Sequence, residues 1–170
     1  MPIQRLNHAV LYVRDVDRSA AFYRQVLGFR TKVEMPGRAV FLQAEGSTND
    51  HDLGLFAVGE NAGPSGAGGS TVGLYHLAWE VDTLAELARI RTALSDAGAL
   101  AGASDHATTK ALYAKDPDGL EFEVSWLLPA SAITPEVQAQ GATTKPLDLE
   151  AEIARYGADT QGGVGVSVRA

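Results

Sequence analysis

The chain of 170 residues has no cysteine, which excludes disulfide bonds and thiolate metal ligands. It also has no run approaching the roughly 18 apolar residues that a membrane helix needs. The N-terminal residues MPIQRLNH lack the charged region, apolar run and small-residue cleavage site of a secretory signal. We therefore expect a cytoplasmic protein without a membrane partner.

Positive charge is scarce as well, with 14 Lys and Arg against 21 Asp and Glu, and a net charge of -7. Proteins bind phosphate backbones through clusters of Lys and Arg, and the sequence contains no such run. We therefore exclude nucleic acid as a partner. The hydrophobic fraction of 45% is typical of a soluble globular chain, and the length suits one compact domain.

The first part of the chain predicts a strand, a helix and three more strands. The run LNHAVLYV is rich in β-branched and aromatic residues, as strands are. The segment RDVDRSAAFYRQVLGF carries apolar residues at helical spacing, and Gly28 is a natural end for that helix. Further strands are predicted over residues 30–35, 38–44 and 51–58.

The same order returns after GENAGPSGAGGSTVG, a tract rich in glycine and serine that we interpret as a connector. LYHLAWEV predicts an opening strand. TLAELARIRTALSDAG predicts a helix with a Thr83/Glu86 capping box at its start and Gly98 at its end. Further strands are predicted near residues 101–105, 109–115 and 120–127.

This duplication predicts an α+β fold in which two βαβββ modules form one open, barrel-like mixed sheet. A single domain spans residues 1–128. It consists of module one (1–58), the connector (59–72) and module two (73–128). Residues 129–170 form a C-terminal extension that is partly flexible towards its end and contains a short helix stopped by Gly157.

Three side chains in predicted strands are candidate metal ligands. His8 and His76 occupy corresponding faces of the two opening strands, and Glu123 shares a face of the last strand with Glu121. Two imidazoles and one carboxylate bind one side of a metal ion and leave positions open for substrate, as in non-haem Fe(II) oxygenases. On the residues alone, packing roles for the histidines remain open, and Glu121 is the alternative carboxylate.

Three segments carry a family resemblance: NHAVLYVRDVDRSAAFYRQVLGF, GLYHLAWEVDTLAEL and DPDGLEFEV. They resemble the vicinal oxygen chelate superfamily, which includes glyoxalase I, bleomycin resistance proteins, fosfomycin resistance enzymes and extradiol ring-cleaving dioxygenases. The resemblance covers residues 5–126 and implies a cleft with a divalent metal. In that family the ligand is the glutamate seven residues after the first Asp of the DPDG turn, which selects Glu123. Leu120 departs from the family, where a polar residue commonly follows this turn.

Within the superfamily, HDLGLF, GLYHLAW and SDHATTKALYAKDPDG look most like extradiol catechol dioxygenases. This resemblance implies that His51 is the acid/base histidine near the metal, that Tyr113 binds substrate, and that His106 is a further histidine of the pocket. Each residue also has a purely structural alternative. His51 fits a solvated loop, Tyr113 a core aromatic and His106 a turn.

The resemblance implies extradiol-type dioxygenation of a catechol-like ring, with Fe(II) or Mn(II) as the cofactor and an aromatic diol and O₂ as substrates. Small members often dimerise, so we expect a homodimer or a higher homo-oligomer. One alternative is a glyoxalase-like lyase, isomerase or epimerase that uses Zn, Ni or Co. Such relatives place a Glu or Gln ligand in the last strand of module one, where only Asp52 offers a carboxylate. The other alternative is a metal-free binding or resistance protein, whose members commonly lack the histidines and glutamate kept here.

Overall fold

The computed structural model describes residues 2–68 and 70–163. It divides the chain into two compact units. Unit one comprises Met1–Gly66 and Asp116–Gly119, and unit two comprises Ala67–Lys115 and Leu120–Ala170.

Unit one contains one helix and a four-stranded sheet. Its elements are β1 (Ala9–Val13), α1 (Val16–Leu27), β2 (Arg30–Met35), β3 (Ala39–Gln43) and β4 (Leu53–Ala57). The Asp15 carboxylate caps α1 by accepting two backbone N–H bonds of the first turn, and Gly28 ends the helix with a φ of 74°. An apolar stripe of α1 packs on β3 and β4, so the helix covers one face of this sheet.

Unit two repeats this arrangement. Its elements are β5 (Leu77–Glu80), α2 (Leu84–Asp96), β6 (Leu100–Asp105), β7 (Thr109–Lys115), β8 (Glu121–Leu127) and β9 (Lys145–Pro146). The Thr83 hydroxyl accepts the backbone N–H of Glu86 at 3.2 Å, which is half of the predicted capping box. Four buried apolar residues of α2 face β6, β7 and β8: Leu84, Leu87, Ile90 and Leu94.

The strand order confirms the predicted duplication and the α+β class. One sheet runs β1-β4-β3-β2 and the other runs β5-β8-β7-β6, with β9 added beside β6. In both, the opening strand is parallel to the last strand of its module, and a bulge interrupts the equivalent pairs β2/β3 and β6/β7. The strands form two hydrogen-bonded sheets rather than the single sheet expected. Each opening strand, β1 or β5, lies at the edge of its own sheet.

The C-terminal extension adds four elements to unit two. They are a 3₁₀ turn (Ala130–Ala132), α3 (Pro135–Ala139), β9 and α4 (Leu149–Tyr156). Helix α4 is the predicted short helix, and Gly157 follows it as expected. It packs on α2 and buries Leu149 completely. Flexibility was expected for the last ten residues, and seven of these, residues 164–170, lie outside the described residues. Within the described part of the chain, no helix combines the length and apolar character that a membrane span requires.

Candidate metal centre

His76 and Glu123 lie side by side in unit two. His76 directly precedes β5, and Glu123 occupies the middle of β8, where it is the register partner of Ala78. The Nε2 atom of His76 is 3.3 Å from Oε2 of Glu123. Residues on either side of Glu123 in β8 are buried towards α2, so period-two alternation points the Glu123 carboxylate to the face that α2 does not cover.

The pair has the spacing that a divalent metal site requires. Two ligand atoms that each lie about 2.1 Å from one ion, at angles between those of an octahedron and a tetrahedron, are about 3.0–3.4 Å apart. The 3.3 Å separation of the imidazole and carboxylate atoms falls in that range. The Nδ1 atom of His76 is buried and has no hydrogen-bond partner among the described residues. A metal bound at Nε2 would leave the ring hydrogen on Nδ1, which in metal sites is normally donated to water or to a polar group nearby.

The structure also separates the two candidate carboxylates of β8. Glu121 stands at the start of the strand and forms an ion pair with Lys115 across the hairpin, at 3.5 Å. Glu123 is the carboxylate that contacts the imidazole of His76. This geometry supports Glu123 as the ligand in place of Glu121.

Tyr113 and His106 lie beside this pair. Tyr113 is the direct cross-strand partner of Glu123, so both side chains project from the same face of the sheet. The Tyr113 ring is 6.1 Å from the His76 ring, and its hydroxyl is 2.9 Å from Nε2 of His106. Partial burial, followed by the Glu123 charge, raises the pKa of the Tyr113 phenol above its usual value, so the hydroxyl keeps its hydrogen at neutral pH.

His8 and His51 form a second cluster, in unit one. Their rings are 4.5 Å apart, and the His51 ring also meets the edge of Phe41 at 5.0 Å. The Nδ1 atom of His8 is 2.7 Å from Oδ1 of Asn7, which only accepts hydrogen bonds. A neutral His8 therefore carries its hydrogen on Nδ1 and leaves the Nε2 lone pair for a metal ion.

The last strand of module one supplies no fourth ligand. In the paired registers, Gly54 lies opposite Val10 in β4 as Glu123 lies opposite Ala78 in β8, so Gly54 occupies the position equivalent to Glu123. The carboxylate of Asp52 accepts hydrogen bonds from Ala44, Ser47 and Asn49 at 2.7–2.8 Å. It therefore holds the loop between β3 and β4 together and is not available as a ligand.

The six predicted site residues thus fall into two groups, with His8 and His51 in unit one and the other four in unit two. Among residues 2–68 and 70–163, no three His, Asp or Glu side chains are grouped so that they hold a metal ion together. The structure brings together His76 and Glu123, with Tyr113 and His106 beside them. The participation of His8 and His51 in the same centre stays a prediction.

Contacts of His106 and of the neighbouring Asp105 were not foreseen from the sequence. The backbone carbonyl of Thr143, in the C-terminal extension, is 2.9 Å from Nδ1 of His106. The neighbouring Asp105 carboxylate accepts the backbone N–H of Ala107 and binds Lys110. A backbone carbonyl leaves no signature in a sequence, but Lys110 alternates onto the same strand face as Leu112 and Ala114, which was a signal that a partner carboxylate existed.

Comparison with known proteins assigns the family. The sequence profile of the "Glyoxalase/Bleomycin resistance protein/Dioxygenase superfamily" matches residues 5–124. The chain belongs to this superfamily. A curated member, the catechol-2,3-dioxygenase of Bacillus subtilis (strain 168), is 34% identical over 122 residues. That alignment covers 70% of this chain and 40% of the relative, so the chain spans less than half of the relative's length.

Solved structures of the superfamily have the same fold. A glyoxylase/bleomycin resistance protein/dioxygenase domain from Frankia sp. EAN1pec matches with a TM-score of 0.64 and 21% identity, over 76% of this chain and 96% of its own. Lactoylglutathione lyase from Agrobacterium tumefaciens matches with a TM-score of 0.55 and 24% identity, over 74% of this chain and 95% of its own. At these identities the likeness concerns the fold alone.

Proposed function

We propose that the protein is a metal-dependent, extradiol-type dioxygenase that cleaves a catechol-like aromatic ring. The observation that carries the proposal is the His76–Glu123 pair, whose ligand atoms are 3.3 Å apart on the sheet face that also carries Tyr113. The 34% sequence identity to a catechol-2,3-dioxygenase over 122 residues supports this reaction over others of the superfamily. The cofactor would be Fe(II) or Mn(II), and the substrates an aromatic diol and O₂.

In this proposal His8, His76 and Glu123 would hold the metal. When bound, the metal supplies a chelation point for two vicinal substrate oxygens and a route for electrons to O₂. Tyr113 hydrogen-bonds one substrate oxygen, and its hydroxyl is oriented by His106 at 2.9 Å. The sheet face around these residues sets the orientation of the ring.

His51 would move the proton that a catechol loses on binding. Its Nδ1 atom is 3.1 Å from the Asp50 carboxylate, which accepts the Nδ1–H and leaves Nε2 to take a proton. The imidazolium that forms is stabilised by the adjacent carboxylate. The pKa of Asp50 is lowered, first by its hydrogen bond with His51, so the carboxylate is charged at neutral pH and ready for this role.

The rival function is a glyoxalase-like lyase, isomerase or epimerase. Its basis is the fold that the chain shares with lactoylglutathione lyase, which is common to the different reactions of the superfamily. Two features of module one count against it. Gly54 occupies the position equivalent to Glu123, so no fourth ligand is present there. The Asp52 carboxylate already accepts three hydrogen bonds. A metal-free binding protein is the remaining alternative, and the retained His76–Glu123 pair counts against that role.

Oxygen uptake by anaerobically purified, Fe(II)-loaded protein tests the proposal. Across a panel of catechols, at least one should give oxygen consumption together with a yellow ring-cleavage product, and the metal should be stoichiometric. Bound Zn or Ni without oxygen uptake, but with turnover of a hemithioacetal or an acyl-CoA epimer, would contradict the proposal and favour the rival enzyme. Failure to bind any divalent metal would contradict the proposal and favour the metal-free binding protein.

The His51→Phe variant is expected to keep the metal and lose most turnover. Phenylalanine preserves the packing against Phe41 and His8 but cannot carry a proton, and general acid–base groups contribute roughly 10²–10⁴-fold to rate. Metal content and steady-state oxygen uptake measure the two effects separately. If turnover is undiminished at full metal content, His51 has no place in the mechanism.

A further inference from the structure

The C-terminal extension reaches His106 through the backbone. His106 lies in the turn between β6 and β7, and both of its ring nitrogens have partners. Nδ1 is 2.9 Å from the carbonyl oxygen of Thr143, and Nε2 is 2.9 Å from the hydroxyl of Tyr113. The first partner belongs to the extension, and the second belongs to the candidate site.

These two partners fix the direction of both hydrogen bonds. A carbonyl oxygen only accepts, so a neutral His106 must carry its hydrogen on Nδ1 and donate it to Thr143. Nε2 is then a lone pair, and the Tyr113 hydroxyl must donate to it. The opposite tautomer would set the Nδ1 lone pair against the carbonyl lone pairs at 2.9 Å, with no hydrogen between the two atoms.

One neighbouring group competes with this assignment. The hydroxyl of Thr144 is 3.3 Å from Nδ1 of His106 and is able to donate to it, which would favour the opposite tautomer. The carbonyl contact is shorter, at 2.9 Å, and it is partly buried, whereas the hydroxyl contact is exposed and can be replaced by water. The carbonyl should therefore decide the tautomer.

The local structure holds the turn and the extension in place around this contact. β9, which follows Thr144 directly, pairs with β6, where Lys145 is the register partner of Asp105. Asp105 accepts the backbone N–H of Ala107, which adopts a left-handed φ of 63°. A non-glycine residue in that region costs energy and persists where its surroundings determine it, as they do at functional sites.

We propose that the Thr143 carbonyl is a positioning group of the candidate site: it holds His106 in the Nδ1–H tautomer, so that Tyr113 donates its hydrogen to His106 and presents only lone pairs to a ligand. The ligand class follows from this direction. Tyr113 accepts a hydrogen bond from a ligand hydroxyl, such as a phenol or an enol, and does not donate one to a carbonyl. This consequence for the substrate rests on the proposed function, whereas the tautomer itself does not.

Long-range ¹H–¹⁵N correlation spectra of histidine-labelled, metal-free protein test the proposal directly. The chain has four histidines, so single variants assign their signals. At about pH 8, above the ~6.5 of a free imidazole, Nδ1 of His106 should have the shift of a protonated nitrogen and Nε2 that of a bare one. Free histidine favours the Nε2–H tautomer. If His106 only filled space and made no hydrogen bond to Thr143, we would therefore expect Nε2 to be protonated.

Two variants complete the test. Thr144→Val removes the competing hydroxyl, and Tyr113→Phe removes the partner of Nε2; the Nδ1–H tautomer should persist in both. A protonated Nε2 in the wild type, or a change to Nε2–H in Thr144→Val or Tyr113→Phe, would overturn the proposal. The spectra need neither metal nor turnover, so an inactive catechol panel would refute the proposed reaction and leave this result standing.

Discussion

Replacing His76 by Ala is expected to lower the affinity for a divalent metal by more than ~100-fold. Even residues that only orient a ligand change metal affinity by about 10–100-fold, and the ligand itself should exceed that range. Nε2 of His76 and Oε2 of Glu123 are the two ligand atoms that lie 3.3 Å apart, so loss of the imidazole leaves Glu123 as the one remaining predicted ligand in unit two. Titration calorimetry and the metal content of the purified variant measure the change.

Two matched carboxylate variants in β8 sharpen this experiment. Glu123→Gln should lose metal as His76→Ala does, whereas Glu121→Gln should bind normally because Glu121 pairs with Lys115. The His76 side chain is 26% exposed and lies outside the apolar core, so its removal should lower the free energy of unfolding by about 1 kcal/mol and leave the fold intact. Stoichiometric metal in His76→Ala, or equal losses in both glutamate variants, would show that the ligand assignment is wrong.

Most of the fold follows from local chemistry that a sequence displays. The helix ends are marked by capping residues. Asp15 and Thr83 accept N–H groups of the first turns, and Gly28 adopts the left-handed conformation after α1. The apolar period switches between helix and strand in the same order twice, which predicted the duplication confirmed by the two strand orders. The predicted boundaries differ from the structure by up to three residues, at the opening strands, where His8 and His76 stand just before β1 and β5.

The extension was less predictable, because its elements depend on distant partners. β9 is two residues long and contains a proline, so it has no strand pattern of its own and exists through its pairing with β6. Helix α4 has its own periodicity and was predicted, but the face it packs on is decided by α2. The contact of Thr143 with His106 uses a backbone carbonyl, which every residue possesses, so the sequence does not predict it.

The candidate site shows the same division between local and distant information. Strand alternation places Glu121 and Glu123 on the same face, so the sequence pattern alone does not say which one is the ligand. The ion pair of Glu121 with Lys115, which distinguishes them, is visible only in the structure. Asp52 was the carboxylate left for a fourth ligand, yet its three hydrogen bonds occupy it. The family resemblance, rather than the pattern, selected Glu123, and the contact with His76 supports that choice.

Replacing Lys110 by Met is expected to destabilise the protein by about 3–5 kcal/mol, because removing one partner of a buried ion pair leaves the other charge uncompensated. The Lys110 side chain is 2% exposed, and its ammonium lies 2.6 Å from the Asp105 carboxylate and 2.9 Å from that of Glu152 in α4. Methionine fills the same volume but leaves both carboxylates in a site with little water. Chemical denaturation followed by circular dichroism measures the change.

Lys115 is the matched control for this effect. It lies in the same strand, but its side chain is 54% exposed and its ion pair with Glu121 is longer, at 3.5 Å. An exposed pair contributes about 0–1 kcal/mol, so Lys115→Met should cost little. Adding Glu152→Gln to Lys110→Met should recover part of the loss, because one of the two stranded charges is then neutral. Equal costs for the two lysine variants would mean that the buried ion pairs of Lys110 do not stabilise the contact between β7 and α4.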